Sequence, residues 1–390
     1  MRAAIRGKRV AAGALLVTLL GLLIGVAGGQ PPIAWRWEET DPLPQSHVGH
    51  TATLLADGRV LVVGDVGRYQ TTASLYDPAS DTWSETGPLT TPRYGHTATL
   101  LADGQVLVAG GAVDQNIVKR SVELFDPATG AWTAVADMPT ARAFHAAALL
   151  PDGKVLVMGG ALGLFSTSGI ADVELYDPAT DTWAFAEPMN KARASHSATV
   201  LAGGRVLVVG GYAPGNVAEL YDPATGAWRY TGGRGLDFQA RHVAVRLDDG
   251  RVYVLDDDKA AVYDPATEAW AWQSSPAMGD IFAAALLGDG RVIVNGGYEQ
   301  WSYPPVTIIY DTTVLVDTTT WDWEYPALMK HGRAGHTLTR LADGRVLAAG
   351  GLDYPDTGEV FRAFPLTEQL YVPVIVFESE EGRRDTGDPE

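Results

Sequence analysis

The sequence predicts an all-β chain folded as a seven-bladed β-propeller, and three observations carry that prediction. A His stands thirteen positions after a Trp at Trp37–His50, Trp83–His96, Trp132–His145, Trp183–His196 and Trp323–His336. A two-residue turn between apolar runs recurs seven times, at Asp57-Gly58, Asp103-Gly104, Asp152-Gly153, Gly203-Gly204, Asp249-Gly250, Asp289-Gly290 and Asp343-Gly344. The period, roughly 40–50 residues, is too short for a unit to bury its own apolar face, so the units must stack.

Each unit reads as four strands, a to d. In the second, His96-Thr-Ala-Thr-Leu-Leu is strand a, and Asp103-Gly104 is the dipeptide that favours a type I′ hairpin turn. Gln105-Val-Leu-Val-Ala is strand b, ended by Gly110-Gly111, where the chain turns or backbones crowd. Glu123-Leu-Phe is strand c. Asp126-Pro-Ala-Thr-Gly is a turn whose Asp bonds the backbone two residues on. Trp132 opens strand d. Seven such sheets arranged radially leave only short protected edges.

The ends complement each other. The last unit shows His336, Asp343-Gly344 and Gly350-Gly351, with strand c expected at Leu370-Tyr371 and no Trp after it. Trp37 precedes His50 with no strands a to c ahead of it. Residues 33–40 are therefore expected to supply strand d of the last blade, closing the ring and removing an edge.

The Gly-Gly doublet after strand b, the Tyr of strand c and the Trp of strand d together resemble the kelch repeat, over about residues 35–373. The resemblance implies a propeller of kelch-type blades. It leaves the activity open, because one fold hosts many functions. Galactose oxidase and related copper-radical oxidases share the architecture but need a Cys cross-linked to a Tyr. This chain has no Cys, so that chemistry does not carry over, and neither a cofactor nor a metal is expected.

Composition narrows the partners. Net charge is −18, and residues 30–390 hold 25 basic against 47 acidic residues, or −22. Nucleic-acid binding needs a basic face, so it is excluded as a function. The first nine residues are basic, and Val10–Ala27 is an apolar run with Gly and one Thr. Residues 1–29 read as a signal peptide or an N-terminal membrane anchor; either places the rest outside the cytoplasm, secreted, periplasmic or tethered. Residues 33–377 form the propeller, and 378–390 read as a disordered acidic tail. A monomer is expected, touching membrane only through an uncleaved N-terminus.

Residues repeated in nearly every unit serve what every blade shares. His50, His96, His145, His196, His242 and His336 are therefore read as packing residues rather than a metal ring. Arg93, Arg142, Arg193 and Arg333 stand three positions before a His, and Glu123, Glu174 and Glu219 open strand c, with Gln369 at that place in the last unit. Units lacking the Arg carry Ser74, Ala261 and Val314 instead. The joint presence and absence points to structural ion pairs. Asp256, Asp257 and Asp258 read as a hairpin tip, with cation binding the lesser alternative.

Function is expected on the other positions. Alternating strands put the d–a and b–c connections on one face and the regular Asp-Gly and Asp-Pro-Ala-Thr turns on the other. The first face varies in length, with b–c connections expected to be long in units three, six and seven. Variable loops on a rigid scaffold are where binding resides. The candidates are Tyr94, Phe144, Phe238, Arg241, Phe282, Tyr298, Glu299, Trp301 and Tyr303, with the aromatic units five and six as the densest departure. They suit a binding module for a protein or a glycan. A carbohydrate-active enzyme is the alternative, although no phosphate loop, helix-borne metal motif or nucleophile elbow is present.

Overall fold

The computed structural model describes residues 33–65, 71, 73–114, 117–163, 169–212, 217–232, 236, 238, 242–276, 283–302 and 305–365. Residues Ala34–Phe364 form one compact unit. It consists of seven four-stranded antiparallel sheets, the blades of a β-propeller. In blade two the strands are Thr97–Leu100, Val106–Ala109, Val122–Asp126 and Ala131–Val135, paired in that order. Strand b is fully buried in every blade, which is why it reads as an unbroken apolar run.

Strand alternation builds the core between blades. Leu61 and Val63 pack toward blade two, whereas Val60 and Val62, one residue out of phase, pack toward blade seven. Seven apolar clusters occupy the seven blade interfaces, including the one joining blade seven to blade one. The ring is closed by side-chain packing all the way round.

Blade seven is assembled from both ends of the chain, as expected. Its strands are Thr337–Arg340, Val346–Ala349, Gly358–Pro365 and, outermost, Ile33–Glu39. Trp37 is buried and tilts against Phe361 at 5.1 Å and 47°. This matches the strand c to strand d ring pairs of the other blades, such as Tyr76–Trp83 at 4.9 Å and 45°.

The position of strand c in blade seven corrects the sequence reading. It is Gly358–Pro365, with Phe361 opposite Val346, and not Leu370-Tyr371, which lie with Gln369 outside the described residues. The b–c connection is a short turn, with the Gly350 N–H on the Thr357 carbonyl at 3.0 Å. Gly358-Glu-Val-Phe repeats the Val-Glu-Leu-Phe of blade two, with Phe in the place that Tyr holds in most blades. Two connections carry hairpins of their own: Ala112–Asp114 with Ile117–Val118 in blade two, and Tyr298–Ser302 with Pro305–Ile309 in blade six.

The Gly doublets are a blade-to-blade joint. A Cβ on Gly110 would sit 2.6 Å from the Arg142 carbonyl and 2.9 Å from His145 Cε1 of the next blade. The same approach joins Gly64 to His96, Gly159 to His196, Gly210 to His242, Gly296 to His336 and Gly350 to His50. In blade five the position is Asp256, and blade six has no His to receive. The glycine and its neighbour's His are present or absent together.

Candidate binding site at the mouth of the central channel

Before five of the histidines the described residue starts the inner strand from a left-handed backbone: Gly49, Gly95, Phe144, Ser195 and Gly335 have φ of 54–68°. Their peptides link blade to blade. The Gly49 N–H donates to the Gly335 carbonyl at 3.2 Å, Phe144 to Gly95 at 2.7 Å and Ser195 to Phe144 at 2.8 Å. This collar surrounds a cavity of about 580 Å³. Its wall includes Tyr94, Phe144, Ser195, five collar residues' neighbouring histidines and His242. The cavity lies where d–a connections enter strands a, on the face expected to bind.

The histidines form a second belt below the collar. His50, His96, His145 and His242 hydrogen-bond through Nε2 to Thr337, Thr51, Thr97 and Ser197 of the preceding blade at 2.8–3.0 Å. His336 bonds Asn295 at 2.9 Å. His196 has neither nitrogen partnered, because the preceding blade offers Ala146 where blades one, two, four and seven offer Thr or Ser and blade six offers Asn295 from strand b. Burial pushes His145, His196 and His336 down to about 3, and holds His50 and His96 well below the usual imidazole range. These five imidazoles are neutral at physiological pH.

Beneath it lie four buried ion pairs. Arg93–Glu123, Arg142–Glu174, Arg193–Glu219 and Arg333–Glu359 meet at 2.6, 2.7, 3.1 and 2.9 Å, with both side chains essentially inaccessible. Each Arg also donates to the carbonyl of the first doublet glycine seventeen residues on. Three of the carboxylates accept a backbone N–H from the segment leading to the Arg, at Thr90, Asn190 and Lys330. The pairs are structural, and Glu359 rather than Gln369 fills the role in blade seven. Blade one has a smaller version that sequence reasoning missed. His47, three before His50, bonds the Gly64 carbonyl at 2.9 Å and Ser74 at 2.7 Å.

The opposite face is stapled by arginines after the Asp-Gly turns. Arg59 donates to the Pro127 carbonyl at 2.7 Å, Arg251 to Thr318 at 3.4 Å and Arg345 to Pro78 at 2.6 Å, each in the next blade around the ring.

The proposed site residues divide. Tyr94 and Phe144 meet edge to face at 6.2 Å beside the cavity. Phe238 is fully buried between blades four and five and stacks on Trp272 at 6.1 Å, so it is a packing residue and not the binding residue the sequence suggests. Its apolar character, with no polar handle, was the signal for that role. Arg241, Phe282 and Tyr303 lie outside the described residues. Tyr298 is half-buried, at the base of the blade-six hairpin opposite Ile309. Glu299 and Trp301 share that strand, opposite Ile308 and Val306, and their side chains lie outside the described ones. Sequence reasoning also missed an outer row. Two positions after the strand d Trp, blades three to six carry Phe185, Tyr230, Trp272 and Tyr325, 46–69% exposed, where blades seven, one and two carry Glu39, Glu85 and Ala134.

Asp256, Asp257 and Asp258 bring carboxylate oxygens within 4.8 Å of one another. Asp256 is buried and accepts the Lys259 N–H at 3.0 Å, as a turn residue does. Among the described residues no histidines converge in this way.

The family model for the KLHDC2/KLHL20/DRC7 Kelch-repeats domain matches residues 49–255, just over half of the chain. The chain belongs to the kelch-repeat family. No curated protein matches this kelch chain. Among solved structures it is similar to a "novel fungal alcohol oxidase with catalytic diversity among the AA5 family, in complex with copper", with a TM-score of 0.65 and 19% identity over 85% of this chain and 76% of that one. That likeness is one of fold. The kelch chain here has no Cys for a Cys–Tyr cross-link, and the Nε2 atoms of its belt are taken by hydroxyl and amide partners, save that of His196. These residues do not fit a copper-radical centre.

Proposed function

We propose that the protein is an exported binding module that holds a protein or glycan ligand on the face carrying the d–a and b–c connections. The observation that carries this reading is the cavity at the channel mouth, walled by aromatic rings, hydroxyls and neutral imidazoles. Every recurrent acid or base nearby is consumed by the fold: arginines by glutamates and carbonyls, and all but one of the belt histidines by the preceding blade. That leaves surface for recognition rather than an assembled acid–base pair among the described residues. Kelch propellers commonly bind proteins, which supports the reading. Export rests on the basic and apolar segment of residues 1–29, and the unit is proposed to act as a monomer.

The test is an array of glycans and folded proteins probed with the full chain. Capture should be lost in Trp301→Ala or Tyr303→Ala and kept in Thr129→Ala, which alters an Asp-Pro-Ala-Thr turn. The reverse pattern assigns binding to the other face. Fractionation of the expressing cell, with sequencing of the mature N-terminus, tests export: a cytoplasmic protein starting at Met1 overturns it.

A further inference from the structure

The collar is uneven, and the unevenness is confined to one sector. Of the five described left-handed positions, three are glycine. Phe144 at φ 54° and Ser195 at φ 55° are not. Glycine holds this conformation without strain, whereas a side chain there costs energy and persists where it serves a site. Phe144 is also seated. A Cβ on Gly95 would lie 2.9 Å from its ring, so the preceding blade keeps a glycine for the ring to lie against. Tyr94 closes the other side, edge to face.

The same sector contains the break in the histidine belt. His196 lines the cavity, is 8% exposed and has both nitrogens without a partner. The hydroxyl that Thr51, Thr97, Ser197 and Thr337 supply elsewhere is missing because blade three carries Ala146. A buried nitrogen left unbonded is costly, so a ligand that bonds it gains what the fold forgoes. No Lys, Arg, Asp or Glu is among the described residues of the wall. A carboxylate, phosphate or ammonium group would find no counter-charge among those residues.

Resting on the reading of this face as a binding surface, we infer that the sector of blades two to four is a subsite for an uncharged, hydroxyl-bearing ring, the terminal sugar of a neutral glycan. The flat apolar face of the ring packs on Phe144, beside Tyr94. One hydroxyl takes the place at His196 that threonine takes in other blades, and Ser195 offers a second polar contact. Selection is by neutrality and shape: a charged sugar is excluded by the cost of burying an unpaired charge.

The experiment uses the purified full chain on an array of neutral oligosaccharides, their sialylated and sulfated counterparts, and peptides. Two variants make it decisive. Phe144→Gly removes the ring where glycine suits the backbone. Ala146→Ser gives His196 a partner from the protein itself, in competition with the ligand. The expected result is capture of neutral glycans, weakened about tenfold or more in both variants. Thermal midpoints should hold in Phe144→Gly and rise in Ala146→Ser, so lost capture cannot be put down to misfolding. Neutral-glycan capture unchanged in both variants overturns the subsite. If Trp301→Ala then abolishes it, the face stands and only its sector was misassigned. Capture of peptides or charged glycans alone overturns the ligand class and leaves the binding face standing.

Discussion

Blades two, three, four and seven bury an arginine–glutamate pair between strands a and c; blades five and six fill the same place with Ala261 and Val314, both fully buried. Both kinds of blade keep four strands and the same inter-blade core. The ion pair is therefore one of two ways to fill a common space. The paired version uses the guanidinium to tie strand a, the doublet glycine and strand c together. The apolar version needs no tie at that place, because Ala261 and Val314 present no polar side chain there. Blade one lies between them, with His47 and Ser74 as a short neutral pair. Replacing a buried pair with apolar groups is energetically tolerable, whereas removing half of it is not, and the chain contains no described blade with half a pair.

Acid should separate the two kinds of interface most strongly. His50, His96, His145, His196 and His336 are held below their usual value by burial first, with nearby arginines and histidines adding to the shift for His50, His96 and His196. In the unfolded chain each titrates near 6.5. Above that pH both states are neutral and the full stability is present. Below it the unfolded chain takes up protons that the folded chain refuses. Stability should therefore fall from about pH 6.5 toward about 3, by about 1.4 kcal/mol per pH unit for each histidine. Urea unfolding at pH 7, 6 and 5 measures the slope. Hydrogen exchange at pH 5 should show the interface of blades five and six, which lacks a His, opening after the others; simultaneous or earlier opening there breaks the comparison.

Halving a pair comes next. Arg142→Ala leaves Glu174 buried and uncompensated and should cost about 3–5 kcal/mol. The double variant Arg142→Met, Glu174→Leu imitates blades five and six and should recover most of that loss. Equal destabilisation of the single and double variants, in urea at pH 7, would show that the pair does more than fill space.

A smaller gain should come from mending the belt. Ala146→Thr supplies His196 with the hydroxyl its neighbours have and should add about 1 kcal/mol, the net scale of a buried hydrogen bond. A thermal midpoint that does not rise would place the His196 ring out of reach. The smallest effect should come from the opposite face: Arg345→Ala removes a part-buried bond to the Pro78 carbonyl, and one such hydrogen bond contributes about 0.5–1 kcal/mol net. A larger loss would make the turn face, and not the collar, the principal ring fastener.

Much of the site's framework was legible. The Arg and Glu positions rise and fall together along the chain, and the structure pairs them. The residues that change blade by blade were legible only as departures. Phe144 could be named, but not its left-handed backbone, because position-specific φ depends on the collar bonds that Phe144 donates to the Gly95 carbonyl and accepts from the Ser195 N–H. Phe238 looked like a binding residue because it breaks the pattern, yet it fills the core between blades four and five. Ala146 drew no notice, since the absence of a hydroxyl matters only beside His196.

Local periodicity determined the rest: strand alternation of two, the Asp-Gly and Asp-Pro turns, the seven units and the outer strand borrowed from residues 33–40 are all consequences of neighbours within one blade or of counting blades. Tertiary structure alone decided which glycine receives which histidine, which histidine lacks a partner and which arginine reaches the next blade's carbonyl. Those contacts join residues about one repeat apart, and their geometry is set by the tilt and closure of the whole ring, which no single segment encodes.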